Sequence, residues 1–259
     1  MKNDDFLKVA KKAALEAGKI ISKYSGSQHK LVYKEGDKSN FATKVDFDTE
    51  KVIVSILSKS FPNHNIFGEE ETKINNNSEF SWMIDPLDGS FSFSLGIPTY
   101  SISIGLLQNN EPILGVIYNV SFKNLYWAQK GKGAFLNGKK ISVTRKKRLD
   151  QAGVVLDFGH RLRRQQKYDW YIGPLMNRIG YLYSFGSSVY ILAMIAQGML
   201  DADCCDAWIW DFVAGVVIVR EAGGKVTDFE GNEPDWSKER LSIVASNGLI
   251  HNQILEALR

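Results

Sequence analysis

The run Trp82-Met83-Ile84-Asp85-Pro86-Leu87-Asp88-Gly89-Ser90 leads an apolar strand into a pair of carboxylates. Ser81 to Ile84 has the texture of a buried strand and delivers Asp85 to its C-terminal end. Pro86 cannot donate to a sheet ladder and fixes its own φ, so the strand is expected to stop there and turn. The turn brings Asp88 beside Asp85. Two ionised carboxylates that close repel each other unless a cation lies between them. Oxygen-only ligands suit Mg²⁺, Mn²⁺ or Ca²⁺ rather than zinc. Gly89 admits a close ligand, and Ser90 opens a helical turn whose N–H groups suit a phosphate. Taken alone, the run reads equally well as a turn, because Asp, Pro and Gly are turn residues.

Two further stretches shift that balance. Gly68-Glu69-Glu70-Glu71 follows the short predicted strand Asn65 to Gly68, one supersecondary unit before Asp85. Taken alone it is a solvated acidic run. Trp210-Asp211-Phe212-Val213-Ala214-Gly215 opens a strongly apolar helix. Asp211 has the position of an N-cap, yet Trp208, Ile209, Trp210 and Phe212 surround it in sequence. A carboxylate in so apolar a setting needs a partner, and a metal is one candidate.

Outside these motifs the chain alternates helices and strands. Apolar residues at helical spacing predict helices over Phe6 to Tyr24 and Asp46 to Ser60. Lys30 to Lys44 reads as a loop or loose hairpin. Ser101 to Leu107, Pro112 to Tyr118 and Asn124 to Ala128 predict an antiparallel meander, with turns at Gly131-Lys132-Gly133 and Asn137-Gly138. The second half predicts strands at Val154 to Leu156, Tyr181 to Tyr183 and Leu241 to Ala245. Helices are expected over Gln165 to Arg178, Ser187 to Gln197, Asp211 to Ala222 and Leu249 to Leu258, with Gly223-Gly224 as a C-terminal cap. The pattern is a mixed, layered protein with sheets between helices.

Composition sets the outer limits. The chain has 259 residues, of which 44% are hydrophobic and 24% charged, so it can bury a large core. Its net charge of +3, from 32 basic and 29 acidic residues, is too balanced to imply nucleic-acid binding. The sequence has neither a signal-peptide core nor a charge-free membrane span, and a cytoplasmic location is expected. Cys204 and Cys205 are neighbours, which disfavours a structural disulfide between them.

Taken in order, Glu-Glu, Asp-Pro-Leu-Asp-Gly-Ser and Trp-Asp-x-x-Ala-Gly resemble the inositol monophosphatase superfamily across essentially the whole chain. Thr43-Lys44-Val45-Asp46 matches the upstream aspartate of that family. The resemblance implies an α+β fold, a layered αβαβα sandwich forming a single unit of two packed halves, about residues 1–145 and 146–259. It also implies a lithium-sensitive, magnesium-dependent phosphatase (Mn²⁺ being the substitute) that acts as a homodimer on small phosphate monoesters by two- or three-metal in-line attack of water. By the same resemblance Glu69, Asp85, the carbonyl of Leu87, Asp88 and Asp211 hold metal. Ser90 and Asp46 position the water, Gly89 and Ser90 amides hold the phosphate, and Glu70 has a supporting place.

Asp88-Gly89-Ser90-Phe91-Ser92-Phe93 followed by Gly96-Ile97-Pro98 is similar to the archaeal branch, whose members often hydrolyse both inositol monophosphate and fructose 1,6-bisphosphate. Inositol-specific members place a glutamate before the second-half aspartate to bind ring hydroxyls. Here Asp206, in Asp203-Cys204-Cys205-Asp206-Ala207-Trp208, is the nearest carboxylate and the substrate-binding candidate. Gly186-Ser187-Ser188 reads as a substrate contact or, equally, an N-cap. The basic clusters Arg145-Lys146-Lys147-Arg148 and Arg161, Arg163, Arg164 read as solvated surface, with a second substrate phosphate as the sharper alternative. An adenosine 3′,5′-bisphosphate nucleotidase and a non-catalytic binding protein are the competing functions.

Overall fold

The computed structural model describes residues 3–24, 31–33, 41–159 and 161–259. Phe6, Ala10, Ala13, Ala14, Ala17 and Ile21 form one buried stripe of the helix Asn3–Tyr24. Small alanines on that stripe let it lie close to the helix Lys44–Ser60, and both cover one face of a large sheet. The strands Leu31–Tyr33 and Phe41–Thr43 pair antiparallel, as the hairpin reading expects. Residues 30 and 34–40 of that reading lie outside the described residues. Thr43 caps the helix Lys44–Ser60: its hydroxyl accepts from Val45 N, and Asp46 accepts from Thr43 N.

The large sheet has eight strands. In spatial order they are Lys139–Lys140, Ala134–Leu136, Asn124–Gln129, Glu111–Asn119, Ser101–Gln108, Phe80–Asp88, Asn65–Gly68 and Lys73–Ile74. Its pairs are antiparallel except Asn65–Gly68 with Phe80–Asp88, which run parallel. Side chains alternate: Trp82 and Ile84 face the two outer helices, while Met83 faces the opposite core. Asn137 and Gly138 both have positive φ and form the expected tight hairpin.

The opposite core holds the helices Ser188–Ala196 and Ile209–Glu221. Both are buried along nearly their whole length and, apart from the ends, apolar all round, as a helix pressed between two sheets must be. Gly223 N donates to Arg220 O and Gly224 N to Val219 O, the expected C-terminal cap.

A second sheet of five strands closes this layer, in the order Tyr181–Tyr183, Gly153–Leu156, Ala202–Trp208, Arg240–Ser246, Lys225–Thr227. The first three are parallel and the rest antiparallel. The strand Ala202–Trp208 at its centre was not among the predicted elements. On the far side pack the helix His251–Leu258 and a helical segment built from Arg164–Lys167, Tyr168–Ile172 and Gly173–Met176. The predicted helix Gln165 to Arg178 is thus interrupted. Gly173 N reaches back to Tyr168 O in a π turn, next to Pro174, which has no N–H to give. Helices, sheet, helices, sheet and helices make five layers, the αβαβα sandwich expected.

Candidate metal centre and its surroundings

The strand Phe80–Asp88 does not stop at Pro86. It continues to Asp88, and its register against Ser101–Gln108 shifts between Asp85 and Asp88. Asp85 stands opposite Ser103 and Asp88 opposite Ser101, so three steps on one strand match two on the other. Residues three apart on a regular strand face opposite ways; the one-residue bulge turns both carboxylates to the same side. Leu87 N donates to Asp85 Oδ1 at 2.9 Å and fixes the turn. Gly89, at φ 84°, then reverses the chain into the short helix Ser90–Ser94. A Cβ there would lie 2.7 Å from Thr99 O, so only glycine fits.

Asp211 enters from the second half, in the first turn of the helix Ile209–Glu221, where it accepts from Trp208 N at 2.8 Å. Asp85, Asp88 and Asp211 each present a carboxylate oxygen within 4.8 Å of the others. Among the described residues no lysine, arginine or histidine pairs with any of the three. Burial, then the charges of Glu69, Asp88 and Asp211, raises the proton affinity of Asp85 well above the usual carboxylate range. Burial, then Asp88 and Glu69, does the same to Asp211. Burial pushes Asp88 up to about 7 despite hydrogen bonds from the Ser187 hydroxyl and from Val189 N. Converging carboxylates, Asp85 buried and Asp88 half-buried, with no cationic side chain among the described residues and no nitrogen or sulfur donor in the set, are a fitting group for a hard divalent cation.

Glu69 lies near enough to act electrostatically on Asp46, Asp85, Asp88 and Asp211. It follows the strand Asn65–Gly68, whose Gly68 pairs with Ile84. Glu69 and Glu70 open onto a groove of about 810 Å³ lined also by Trp208, Trp210 and Trp236. The loop is held by a residue that sequence reasoning missed. Buried Glu50 accepts from the amides of Glu70, Glu71 and Thr72 and from the Thr72 hydroxyl, at 2.8–2.9 Å. Its signal was available: Glu50 is one helical turn after Asp46, on the same face.

Asp46 is buried at the start of its helix. Oδ2 accepts from the amide and hydroxyl of Thr43, and Oδ1 accepts from the Ser90 hydroxyl at 2.6 Å. Burial, the dominant effect, raises its proton affinity, and these bonds oppose the rise. The Ser90 hydroxyl also lies 2.9 Å from Leu87 O. Ser187 is the N-cap of the helix Ser188–Ala196. Its hydroxyl accepts from Tyr190 N as an N-cap and donates to Asp88. Ser188 Oγ contacts Cys205 Sγ at 3.4 Å, and Gly186 has φ 66°.

Asp206, which sequence order proposes for substrate, has partners on both oxygens within the protein. Arg163 and Arg240 both donate to Oδ1, and the Ser242 hydroxyl donates to Oδ2. The cause is strand period. On Ala202–Trp208, Cys205 faces the inner helices and Cys204 the outer layer, so Asp206 points outward. The basic clusters are partly structural too: Lys146 pairs with buried Asp201, and Arg148 with Asp150. Cys204 and Cys205 are buried free thiols. Among the described residues no helix is long and apolar enough to cross a membrane.

The comparisons with known proteins agree with this geometry. A sequence model of the inositol monophosphatase family matches residues 2–259. A fructose-1,6-bisphosphatase/inositol-1-monophosphatase of Aquifex aeolicus is 36% identical, over 98% of this chain and 95% of that protein. An inositol-1-monophosphatase of Bacillus subtilis is 32% identical, over 96% and 94%. The crystal structure of the extragenic suppressor protein suhB of Bartonella henselae superposes with a TM-score of 0.91 at 31% identity, covering 98% of both chains. With an acidic centre suited to a metal where the large sheet meets the helix Ile209–Glu221, the chain belongs to the inositol monophosphatase family of metal-dependent phosphatases.

Proposed function

We propose that the protein hydrolyses small phosphate monoesters, inositol 1-phosphate and fructose 1,6-bisphosphate being the intended class, with Mg²⁺ or, in its place, Mn²⁺. The observation that carries the reading is the convergence of Asp85, Asp88 and Asp211 within 4.8 Å, beside the Ser90–Asp46 hydrogen bond. The names of the Aquifex aeolicus and Bacillus subtilis relatives support the substrate class.

Glu69, Asp85, the Leu87 carbonyl, Asp88 and Asp211 would hold the cation. When bound, it would supply positive charge to the phosphoryl oxygens and the leaving oxygen and make nearby water more acidic. The chain's own residues do the rest. Ser90 Oγ donates its proton to Asp46 Oδ1, which leaves its lone pairs to accept from a water and orient it. Asp46 is kept in place by Thr43 and has the raised proton affinity that suits a proton acceptor. The amides of Gly89 and Ser90, at the start of the helical turn, are assigned to the phosphate. Direct transfer to water needs no covalent intermediate on the protein.

The two halves act as one unit in this reading. Asp88 of the first is held by Ser187 and Val189 of the second, which also contributes Asp211. A homodimer in the cytoplasm completes the proposal. Tyr181, Leu182 and Tyr183, exposed on the edge strand of the small sheet, are an apolar surface such a dimer could cover.

The test is phosphate release from inositol 1-phosphate, fructose 1,6-bisphosphate and adenosine 3′,5′-bisphosphate, each with Mg²⁺, with chelator and with Asp85→Asn. Cation-dependent turnover of the first two, lost in the variant, is expected. Preference for the third would replace the substrate class. No turnover by folded, cation-loaded protein would overturn the enzyme.

A further inference from the structure

The inner face of the small sheet carries carboxylates that the reaction above does not use. Strand period puts Cys205 on that face, and its sulfur touches Ser188, the neighbour of the Ser187 that holds Asp88. Asp203, two residues earlier, shares the face. Val155, directly opposite Asp203 in the parallel pair, shares it as well. Asp157 comes two residues after Val155, just beyond the C-terminal end of the strand Gly153–Leu156. Ligands of open sheets gather at the C-terminal ends of parallel strands. The Ser187–Asp88 and Ser188–Cys205 contacts join this face to the metal centre, and Asp157, beyond the strand paired with Ala202–Trp208, lies near enough to act electrostatically on Asp203 and Cys205.

Asp157 is built into its place. Its Oδ2 accepts from Lys167 Nζ, whose side chain is only 4% exposed, and its Oδ1 accepts from Gly159 N at 3.0 Å. Its backbone carbonyl accepts from the Tyr171 hydroxyl at 2.6 Å. The Asp157 side chain remains 21% exposed, and each oxygen keeps a lone pair. Behind it Asp203 is fully buried, and among the described residues neither of its side-chain oxygens has a hydrogen-bond partner. Burial, then the charge of Asp157, raises the proton affinity of Asp203 well above the usual range.

Asp206 is the opposite case. It is on the outer face, with both oxygens taken by Arg163, Arg240 and Ser242. A hydroxyl arriving there would have to displace a charge-assisted bond. We propose that Asp157, fixed by Lys167 and Gly159, accepts hydrogen bonds from hydroxyls of the alcohol portion of the ester, and so sets a preference for polyol phosphates. The assignment deepens the phosphatase reading and rests on it. Asp157 is a specificity-determining residue, and Lys167 is a positioning residue that acts through it.

The experiment compares inositol 1-phosphate with phenyl phosphate, whose leaving group has no further hydroxyl, on the full chain with Mg²⁺. In Asp157→Asn, kcat/KM for inositol 1-phosphate should fall by about tenfold or more relative to phenyl phosphate, mainly through KM, the loss expected for a hydrogen bond to a charged group. A smaller relative fall overturns the assignment, as does a fall of that size in Asp206→Asn instead. A merely structural role would depress both substrates alike. Should Asp157→Asn fail to fold, Asp157→Glu keeps the charge opposite Lys167 while moving the oxygens by one methylene, and is held to the same criterion. Wild-type protein that hydrolyses neither substrate would sink the phosphatase reading itself, and this assignment with it. Turnover of both with an unmoved ratio sinks this assignment alone.

Discussion

Gly115 stands directly opposite Gly105 across two antiparallel strands, and the backbone at Ala214 presses against both. A Cβ added to Gly115 would lie 2.1 Å from Ala214 O, and one on Gly105 would lie 2.5 Å from Val213 Cγ1. The glycine pair is what lets the helix Ile209–Glu221 rest on the sheet with Asp211 at the metal centre. Gly115→Ala must therefore move backbone, not only a side chain. Overpacking of this kind costs about 1–3 kcal/mol, and a displacement near 1 Å at the site costs roughly a hundredfold in rate. Urea unfolding and kcat measured on the same preparation check both. A fully active, equally stable variant would show that the close approach is not required.

Glu50 offers a cleaner separation of site from scaffold. Its carboxylate takes three amides and a hydroxyl from the segment after Glu69. Glu50→Gln keeps the shape but removes the charge and turns one acceptor into a donor facing N–H groups. The loop that carries Glu69 should loosen, with kcat/KM falling about tenfold or more and global stability lowered by about 1–3 kcal/mol. Higher concentrations of Mg²⁺ should recover part of the activity if the damage is to the cation site. Rates that stay at the wild-type level across a Mg²⁺ titration would remove Glu50 from the positioning of Glu69.

These two relationships show where sequence reading succeeds and where it fails. Asp85, Asp88 and Asp211 were legible because each lies in a compact motif of distinctive residues. The long helices were legible because one buried stripe fixes their period. The centre of the small sheet was not. In Ala202–Trp208, Asp203 and Asp206 break the apolar texture of a strand, and only tertiary partners, Arg163 and Arg240, make Asp206 tolerable there. Without that strand the face on which Asp206 lies could not be assigned, and its pairing with the two arginines could not be foreseen. The bulge between Asp85 and Asp88 was hidden for a related reason. Pro86 announces a break in the ladder, but only pairing with Ser101 and Ser103 decides whether the strand ends or bulges.

Asp85→Asn should change stability with opposite signs in the presence and absence of cation. In chelator the substitution removes one member of a buried, mutually repelling set, so the variant should unfold no lower than wild type. With Mg²⁺ at about a hundred times its dissociation constant, wild type should gain about 2.7 kcal/mol, roughly 5–10 °C for a chain of this size. The variant should gain little. Thermal unfolding in four arms reads this directly. An equal Mg²⁺-dependent rise in both proteins would place the cation away from Asp85.

His251 should make the fold sensitive to mild acid. The Thr227 hydroxyl donates to Asp228 O, so Thr227 Oγ1 is left to accept from His251 Nε2–H. Nδ1 then accepts from the Ser246 hydroxyl, at 2.8 Å, and the ring is neutral. Burial, aided by the charge of Lys225, lowers its proton affinity from the ordinary 6.5 to about 4. Between those values the unfolded chain binds a proton that the folded chain does not. Stability from this group is therefore complete above pH 6.5 and is lost as pH falls toward 4, by at most about 1.4 kcal/mol for each pH unit crossed. His64, which accepts from Trp82 Nε1, is lowered by burial in the same direction, so the informative quantity is a difference between proteins. His251→Gln can keep one donor and one acceptor but cannot titrate. Urea midpoints of wild type should drop more steeply from pH 7 to pH 4.5 than those of the variant. Parallel curves would mean that His251 takes up its proton without opening the buried bonds to Thr227 and Ser246.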